Sequence, residues 1–288
     1  MNGFLNILKP PGMSSGAVVA VVKRMTGERT GHAGTLDPEA AGVLPVMVGR
    51  ATRLLDFFTD KSKSYTAEIA FTGATDTQDA QGEITEKCDH VPSREAIEAI
   101  LPAFRGTILQ HPPAYSALKR DGVPLYALAR KGQMVETEAR ETEIRELILG
   151  QATARGGYML HIDCGGGTYI RTLCHDLGKA LGAPAHMRFL LRTRAGAFSI
   201  ENAVTLEELK QYGVESSLLP MDYPLMGLPE LRLSESWWKL ARNGGKLPAN
   251  LMPELAENQR VRVYTNELNG VAHRAGGVIR FDVGVTGA

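Results

Sequence analysis

Residues 31–48 leave this chain few options. Gly31-His32-Ala33-Gly34-Thr35-Leu36-Asp37-Pro38-Glu39-Ala40-Ala41-Gly42 sets a glycine-rich turn against an apolar run, Val43-Leu44-Pro45-Val46-Met47-Val48. Gly31, Gly34 and Gly42 open backbone conformations closed to other residues and allow close approach by a ligand. Pro38 pushes Asp37 out of the helical region into an extended or turn conformation. The short run bounded by Gly42 and Gly49 predicts a buried strand. The chain must therefore hold a lone carboxylate on a rigid turn at the lip of a buried strand. Such a carboxylate suits a nucleophile, a general base or a metal ligand. For a bare Asp-Pro pair, a turn residue capping its own backbone is the plainer reading.

Composition narrows the class. The 288 residues are 43% hydrophobic and 22% charged, as in ordinary globular proteins, and the length suits one large domain or two. Lys+Arg and Asp+Glu are 32 each, which argues against coating nucleic acid by bulk charge but allows one basic face. Cys88, Cys164 and Cys174 form no C-x-x-C pair, so a reducing, cytoplasmic setting is expected. No apolar stretch approaches membrane-spanning length, and the N-terminus does not read as a signal peptide.

In chain order, residues 4–8 read as a strand. A helix capped by Ser14 or Ser15 follows, with Val18, Val19, Val21, Val22 and Met25 on its face. Residues 50–58 read as an amphipathic helix. Residues 63–71 alternate with period two, placing Tyr65, Ala67, Ile69 and Phe71 on one side of a strand. A polar loop occupies 73–82, and a helix with a Ser93 cap spans 92–104. Residues 106–110, 140–149 and 157–164 read as strands. Between them, Arg105, Lys119, Arg120, Arg130 and Lys131 stand against Asp121 alone, interleaved with prolines and tyrosines. That mixture suits contacts to looped or single-stranded RNA, although charge runs are commonly only solvation.

Gly165-Gly166-Gly167-Thr168-Tyr169-Ile170-Arg171 forms a glycine turn entering a helix. It lacks the spacing of a dinucleotide fingerprint and is followed by no Walker lysine. Arg171 on the first helical turn opposes the helix dipole, so it calls for a carboxylate or phosphate partner. Residues 186–194 read as a strand with Arg188, Arg192 and Arg194 alternating on one face. Thr205 to Glu208 forms a capping box. A composition shift near 227–230 divides the chain into 1–228 and a small β-rich module, 229–288, that leans on the rest. His161, Cys164, Cys174 and His175 match no structural zinc spacing, so neither metal nor cofactor is expected.

Together these segments resemble the TruB family of tRNA pseudouridine-55 synthases. The central stretch is similar to the family signature. Lys9-Pro10-Pro11-Gly12-Met13-Ser14-Ser15 resembles its N-terminal motif, though ending Ser-Ser where the family has Thr-Ser. Lys63-Ser64-Tyr65 resembles its tyrosine strand, Thr75-Asp76-Thr77-Gln78-Asp79-Ala80-Gln81-Gly82 the loop after it, and Pro112-Pro113-Ala114-Tyr115-Ser116-Ala117-Leu118-Lys119 its RNA-gripping insertion, about 105–135. Gly167-Thr168-Tyr169-Ile170-Arg171-Thr172-Leu173 and Leu191-Arg192-Thr193-Arg194 resemble its arginine motif and late basic strand. Gly165-Gly166 departs from the Ser-Lys pair common in the family.

The resemblance implies an α+β pseudouridine synthase fold: a mixed, mainly antiparallel sheet flanked by helices, followed by a PUA-like module. It implies a cytoplasmic, monomeric enzyme that isomerises uridine 55 in the tRNA T loop, without cofactor or protein partner. In that chemistry Asp37 is the nucleophile, Arg171 its partner, and Tyr65 the ring that packs on the flipped base and a base toward the sugar. His32 fills the space the base leaves. Leu190 or Leu191 walls the pocket beside Tyr169. Lys9, Lys119, Arg120, Arg130, Arg188, Arg192 and Arg194 grip phosphates. A guide-RNA-dependent relative and a non-catalytic RNA-binding or RNA-folding protein are the alternatives, with a metal-dependent hydrolase behind them.

Overall fold

The computed structural model describes residues 1–113, 115, 119–120, 122–125 and 137–286. Its centre is a mixed sheet built from β1 (Gly3–Lys9), β2 (Thr30–His32), β3 (Ala41–Val48), β4 (Lys63–Ala70), β7 (Gly106–Gln110), β10 (Arg140–Thr153), β11 (Gly157–Cys164), β12 (His186–Ala195) and β13 (Phe198–Ser199). The spatial order is β1-β3-β12-β4-β11-β10-β7, with β2 on β3 and β13 on β12. Only the β3–β12 contact is parallel. Two short hairpins stand apart: β5 (Gly73–Thr75) with β6 (Ile84–Lys87), and β8 (Lys119–Arg120) with β9 (Val123–Pro124).

Helices cover the sheet where the sequence leaves apolar stripes. Helix α1 (Ser15–Thr26) is capped by Ser14, whose side chain accepts from the Ala17 amide. It packs with α4 (Leu206–Tyr212) on Leu5, Ile7, Leu44 and Val46 of β1 and β3. Helices α2 (Arg94–Ile100) and α3 (Ile170–Ala180) cover the inner face of β4, β10, β11 and β12. The register across that face aligns Tyr65 with Ile162 on one side and Arg192 on the other. This alignment brings Tyr65 under α3.

A second sheet begins at β14 (Glu230–Arg232) and includes β15 (Leu247–Pro248), β16 (Arg260–Tyr264), β17 (Leu268–Ala275) and β18 (Val278–Gly284), beside α5 (Glu235–Arg242). It has its own core around Leu233, Val261 and Ile279. Tyr264, Leu268, Val271 and Val285 join a different core, with Phe4, Val43, Ala51, Leu54 and Phe198 of the main sheet.

Residues 50–58 correct the sequence reading. They form two 3-10 turns, Gly49–Arg53 and Leu55–Phe57, instead of one amphipathic helix. Ala51 and Leu54 are buried and Phe57 half-buried, a spacing of three that fits the 3-10 period better than the α period. Strand β10 also runs beyond residue 149, to Thr153, through two irregularities in its pairing with β11.

Gly42 is where β3 can least tolerate change. Its φ is +114°, and a Cβ there would run into the backbone carbonyl oxygen of Arg192 and come within 2.7 Å of its amide nitrogen. Gly42→Ala is expected to destabilise the fold by about 2 kcal/mol or more, since both backbone strain and a backbone clash oppose it. Urea denaturation read by circular dichroism measures this. An unchanged midpoint would mean that β3 and β12 can separate freely.

Candidate active site

Asp37 lies in the loop from β2 to β3, and Arg171 on the first turn of α3. The folded chain brings them together across 134 residues. Arg171 Nε meets Asp37 Oδ2 at 3.0 Å, and Nη2 donates to Oδ1 at 3.3 Å, giving a two-pronged clasp. The Arg171 side chain is 6% exposed and that of Asp37 36%. The remaining donors of Arg171 reach the Thr77 carbonyl at 3.2 Å and the Tyr115 carbonyl at 2.9 Å. The misfit of a cation at a helix N-terminus is thus resolved by a carboxylate supplied from another loop.

A cavity of about 320 Å³ opens over this pair. Asp37, Tyr65, Tyr169, Arg171 and Leu190 line it, and Lys63 stands at its edge. Leu190 pairs with Ala67 and faces inward, whereas Leu191 pairs with Thr66 on the opposite side, which decides between the two leucines. Tyr169 is fixed by Gln110, which accepts from its amide at 3.0 Å and donates to its carbonyl at 3.2 Å.

Burial raises the pKa of Asp37 above the ordinary carboxylate value. Arg171 opposes that shift, Asp79 adds to it, and Lys9 opposes it more weakly. The Arg171 guanidinium pulls toward the ionised acid, but desolvation is the larger cause. The Tyr65 phenol is pushed up to about 12, chiefly by burial. It is therefore neutral near pH 7 and offers a ring face and a donating hydroxyl. His32, half-buried on β2, is held below its ordinary value by burial and by Arg192, so its imidazole is neutral. Its Nδ1 is buried without a hydrogen-bond partner.

Four residues expected to grip phosphates are engaged by partners within the protein. Lys9 is fully buried, and its ammonium donates to the carbonyls of Pro10, Met13 and Pro38 at 2.8, 2.6 and 2.9 Å. Burial brings its pKa down to about 8. Arg192 is also fully buried and donates to Val43, Thr35 and Gly34 carbonyls. Both residues brace the Asp37 loop from beneath. Arg188 pairs with Glu68 at 2.8 Å. Arg188, Arg192 and Arg194 do not share a face, because pairing irregularities flank Arg188 and Thr193 and re-aim the side chains. Arg194 turns to Asp163 at 2.6 Å and Asp60 at 3.1 Å. Lys119 and Arg120 occupy β8, and Arg130 lies outside the described residues.

Two contributors escaped the sequence reading. Asp79 Oδ2 lies 3.8 Å from Arg171 Nη1, while Asp79 Oδ1 accepts from Thr77 and from the Gln81 amide. Gln78, at φ +62°, ties the same loop to Thr172 of α3 and Met187 of β12. The polar run 73–82 was the available signal, but nothing in it marks Asp79 above Asp76. Lys63, held below its usual value by burial, is the second.

Residues 23–170 match the N-terminal domain of the TruB family pseudouridylate synthases, and residues 171–226 the C-terminal domain of tRNA pseudouridylate synthase B. The chain is 45% identical over 257 residues to tRNA pseudouridine synthase B of Pelotomaculum thermopropionicum, covering 86% of this chain and 81% of the relative. It is 41% identical over 286 residues to the Burkholderia lata protein of the same name, covering 97% and 88%. Among solved structures, a chain from a Cbf5-Nop10-Gar1 complex superposes with a TM-score of 0.74 at 26% identity, over 99% of this chain and 85% of that one. With these family models covering most of its length and relatives at 41–45% identity, the chain belongs to the TruB family of pseudouridylate synthases.

Proposed function

We propose that this chain isomerises uridine 55 in the T loop of tRNA to pseudouridine, with Asp37 as nucleophile. One observation carries the reading: a carboxylate clasped by a buried arginine at the floor of a cavity walled by Tyr65 and Leu190, of a size for one nucleotide. A uridine must leave its stack to reach that floor. The neutral, partly buried imidazole of His32 suits the gap it leaves.

In the reaction Asp37 attacks an electrophilic carbon of the nucleotide, C6 of the ring or C1′ of the ribose. The C1′–N1 bond breaks, the uracil turns, a C1′–C5 bond forms, the bond to Asp37 breaks, the proton on C5 leaves and N1 takes one from solvent. Atoms balance without oxidant, reductant or metal. Arg171 holds the carboxylate in one orientation and steadies its charge as it is regenerated. Tyr65 packs on the base, and its neutral hydroxyl suits donation better than proton abstraction. The protein acts alone, as a cytoplasmic monomer. Its 40–45% identity to bacterial relatives named tRNA pseudouridine synthase B, against 26% to the chain from the Cbf5-Nop10-Gar1 complex, favours this over a guide-dependent role. No helix among the described residues is long and apolar enough to cross a membrane.

The test is tritium release from tRNA labelled at uridine C5, in excess chelator, with the product mapped. Release from the T loop is expected. The nucleophile must be ionised, so kcat/KM should fall as pH drops through the raised Asp37 pKa, giving an acid limb above the ordinary carboxylate range. Tight tRNA binding without release would instead favour an RNA-binding or guide-dependent protein.

A further inference from the structure

A second cavity, of about 340 Å³, lies where the N-terminus, the end of α1 and the 3-10 turn at Gly49–Arg53 meet. Arg29, Arg50 and Arg53 line it, with Thr52 and Glu28. Glu28 is taken by the N-terminal ammonium at 2.7 Å. Among the described residues none of the three arginines forms an ion pair with a carboxylate, although Arg145, Arg188 and Arg194 elsewhere all do.

Arg50 donates to the Val285 carbonyl at 3.3 Å, and Arg53 to the Gly284 carbonyl at 3.1 Å. Each bond fixes a guanidinium and leaves its other donors free. The Arg29 side chain has no hydrogen bond among the described residues, while its backbone carbonyl accepts from Gly49. Three like charges converging on one concavity repel one another, and a polyanion would relieve that repulsion. Planar guanidinium forks also fit phosphate oxygens in pairs.

The location suggests which polyanion. Strand β2 leads from Arg29 to His32, about 10 Å at the usual strand rise. Gly31 lies between them, and a Cβ added there would make ordinary contact with Met47 at 3.4 Å and Thr52 at 4.0 Å. A further cavity of about 410 Å³, lined by Ala33, Phe58, Lys61 and Lys63, continues past His32. It shares Gly34, Lys63 and Gly167 with the Asp37 cavity. These two cavities therefore adjoin, and the arginine cavity lies one short strand away, at the start of β2.

We propose that Arg29, Arg50 and Arg53 hold backbone phosphates of the substrate RNA flanking the isomerised uridine, on the β2 side of the Asp37 cavity. The RNA backbone then runs from the Asp37 cavity along β2 to the seam between the two sheets. This assignment rests on the pseudouridine synthase reading. Its phosphates are bound for position and carry no sequence preference.

Arg29 gives the cleanest test, because its side chain braces nothing in the described structure. The full chain, Arg29→Ala and Arg29→Glu would be titrated with unmodified tRNA over a range of KCl. Arg29→Ala should flatten the slope of log affinity against log salt by about one and weaken binding roughly five- to tenfold at moderate salt, KM rising in parallel. Arg29→Glu should weaken it further. T-arm hairpins with single methylphosphonates would then locate the contact. At one position flanking the target, wild type and Arg29→Ala should bind equally. Wild-type slope and affinity in Arg29→Glu would overturn the site, as would a difference that persists at every methylphosphonate position. Tritium release by the wild type on the same tRNA separates the two claims. Release with indifference to Arg29 removes only this site, whereas no release removes the reading beneath it.

Discussion

Asp37→Asn is expected to abolish isomerisation, by more than about 10⁴-fold, the scale on which enzymes lose rate when a covalent nucleophile is removed. Binding of tRNA should stay within a few-fold of wild type. The amide keeps the size of the side chain and one oxygen for the Arg171 fork, but cannot attack carbon. The buried guanidinium is not abandoned by the change. It keeps the Thr77 and Tyr115 carbonyls, and Asp79 stands 3.8 Å away as a second negative charge. The fold should therefore persist, so that loss of turnover reports chemistry. Single-turnover tritium release beside a filter-binding isotherm measures both. Near-normal turnover would remove Asp37 from the role of nucleophile.

Arg171→Lys is the second large effect: a loss of about 10²- to 10³-fold in kcat/KM, on the scale of removing a preorganised charge from an active site. One ammonium cannot span both Asp37 oxygens and also satisfy two carbonyls that the guanidinium now serves. A charge that pairs less closely also lowers the Asp37 pKa less. Since Arg171 is the largest influence holding that pKa down, the acid limb of the pH profile should move to higher pH in the variant. A fully active variant, or an acid limb that stays in place, would show that the fork does not govern the carboxylate.

Much of this site was readable from residue types because its members are out of place. Asp37 stands out as an acid among glycines ahead of an apolar strand, and Arg171 as a cation at the wrong end of a helix. Each anomaly asks for a partner, and the fold supplies it. What stayed hidden is direction. Lys9 and Arg192 read as basic residues reaching for phosphate, yet both point inward and are neutralised by backbone carbonyls, an arrangement no spacing rule reveals. The irregular pairing of β12 re-aims Arg188 and Arg194 as well, toward the carboxylates of Glu68, Asp163 and Asp60. Residues 50–58 were misread for a related reason. Their apolar positions suit either helix type, and the choice is made by the core into which Ala51 and Leu54 sink.

That core also determines how the chain can be divided. In sequence the last sixty residues look like an appendage, and their five strands form a sheet separate from the main one. Yet Tyr264, Leu268, Val271 and Val285 roof Ala51 and Leu54, which lie against Val43 and Met47 of the strand that emerges from the Asp37 turn. A cut or recombination junction near residue 228 would strip apolar cover from the scaffold of the reaction itself. The two sheets are therefore bound to be inherited together, and a lineage that sheds the second must first redesign the underside of β3.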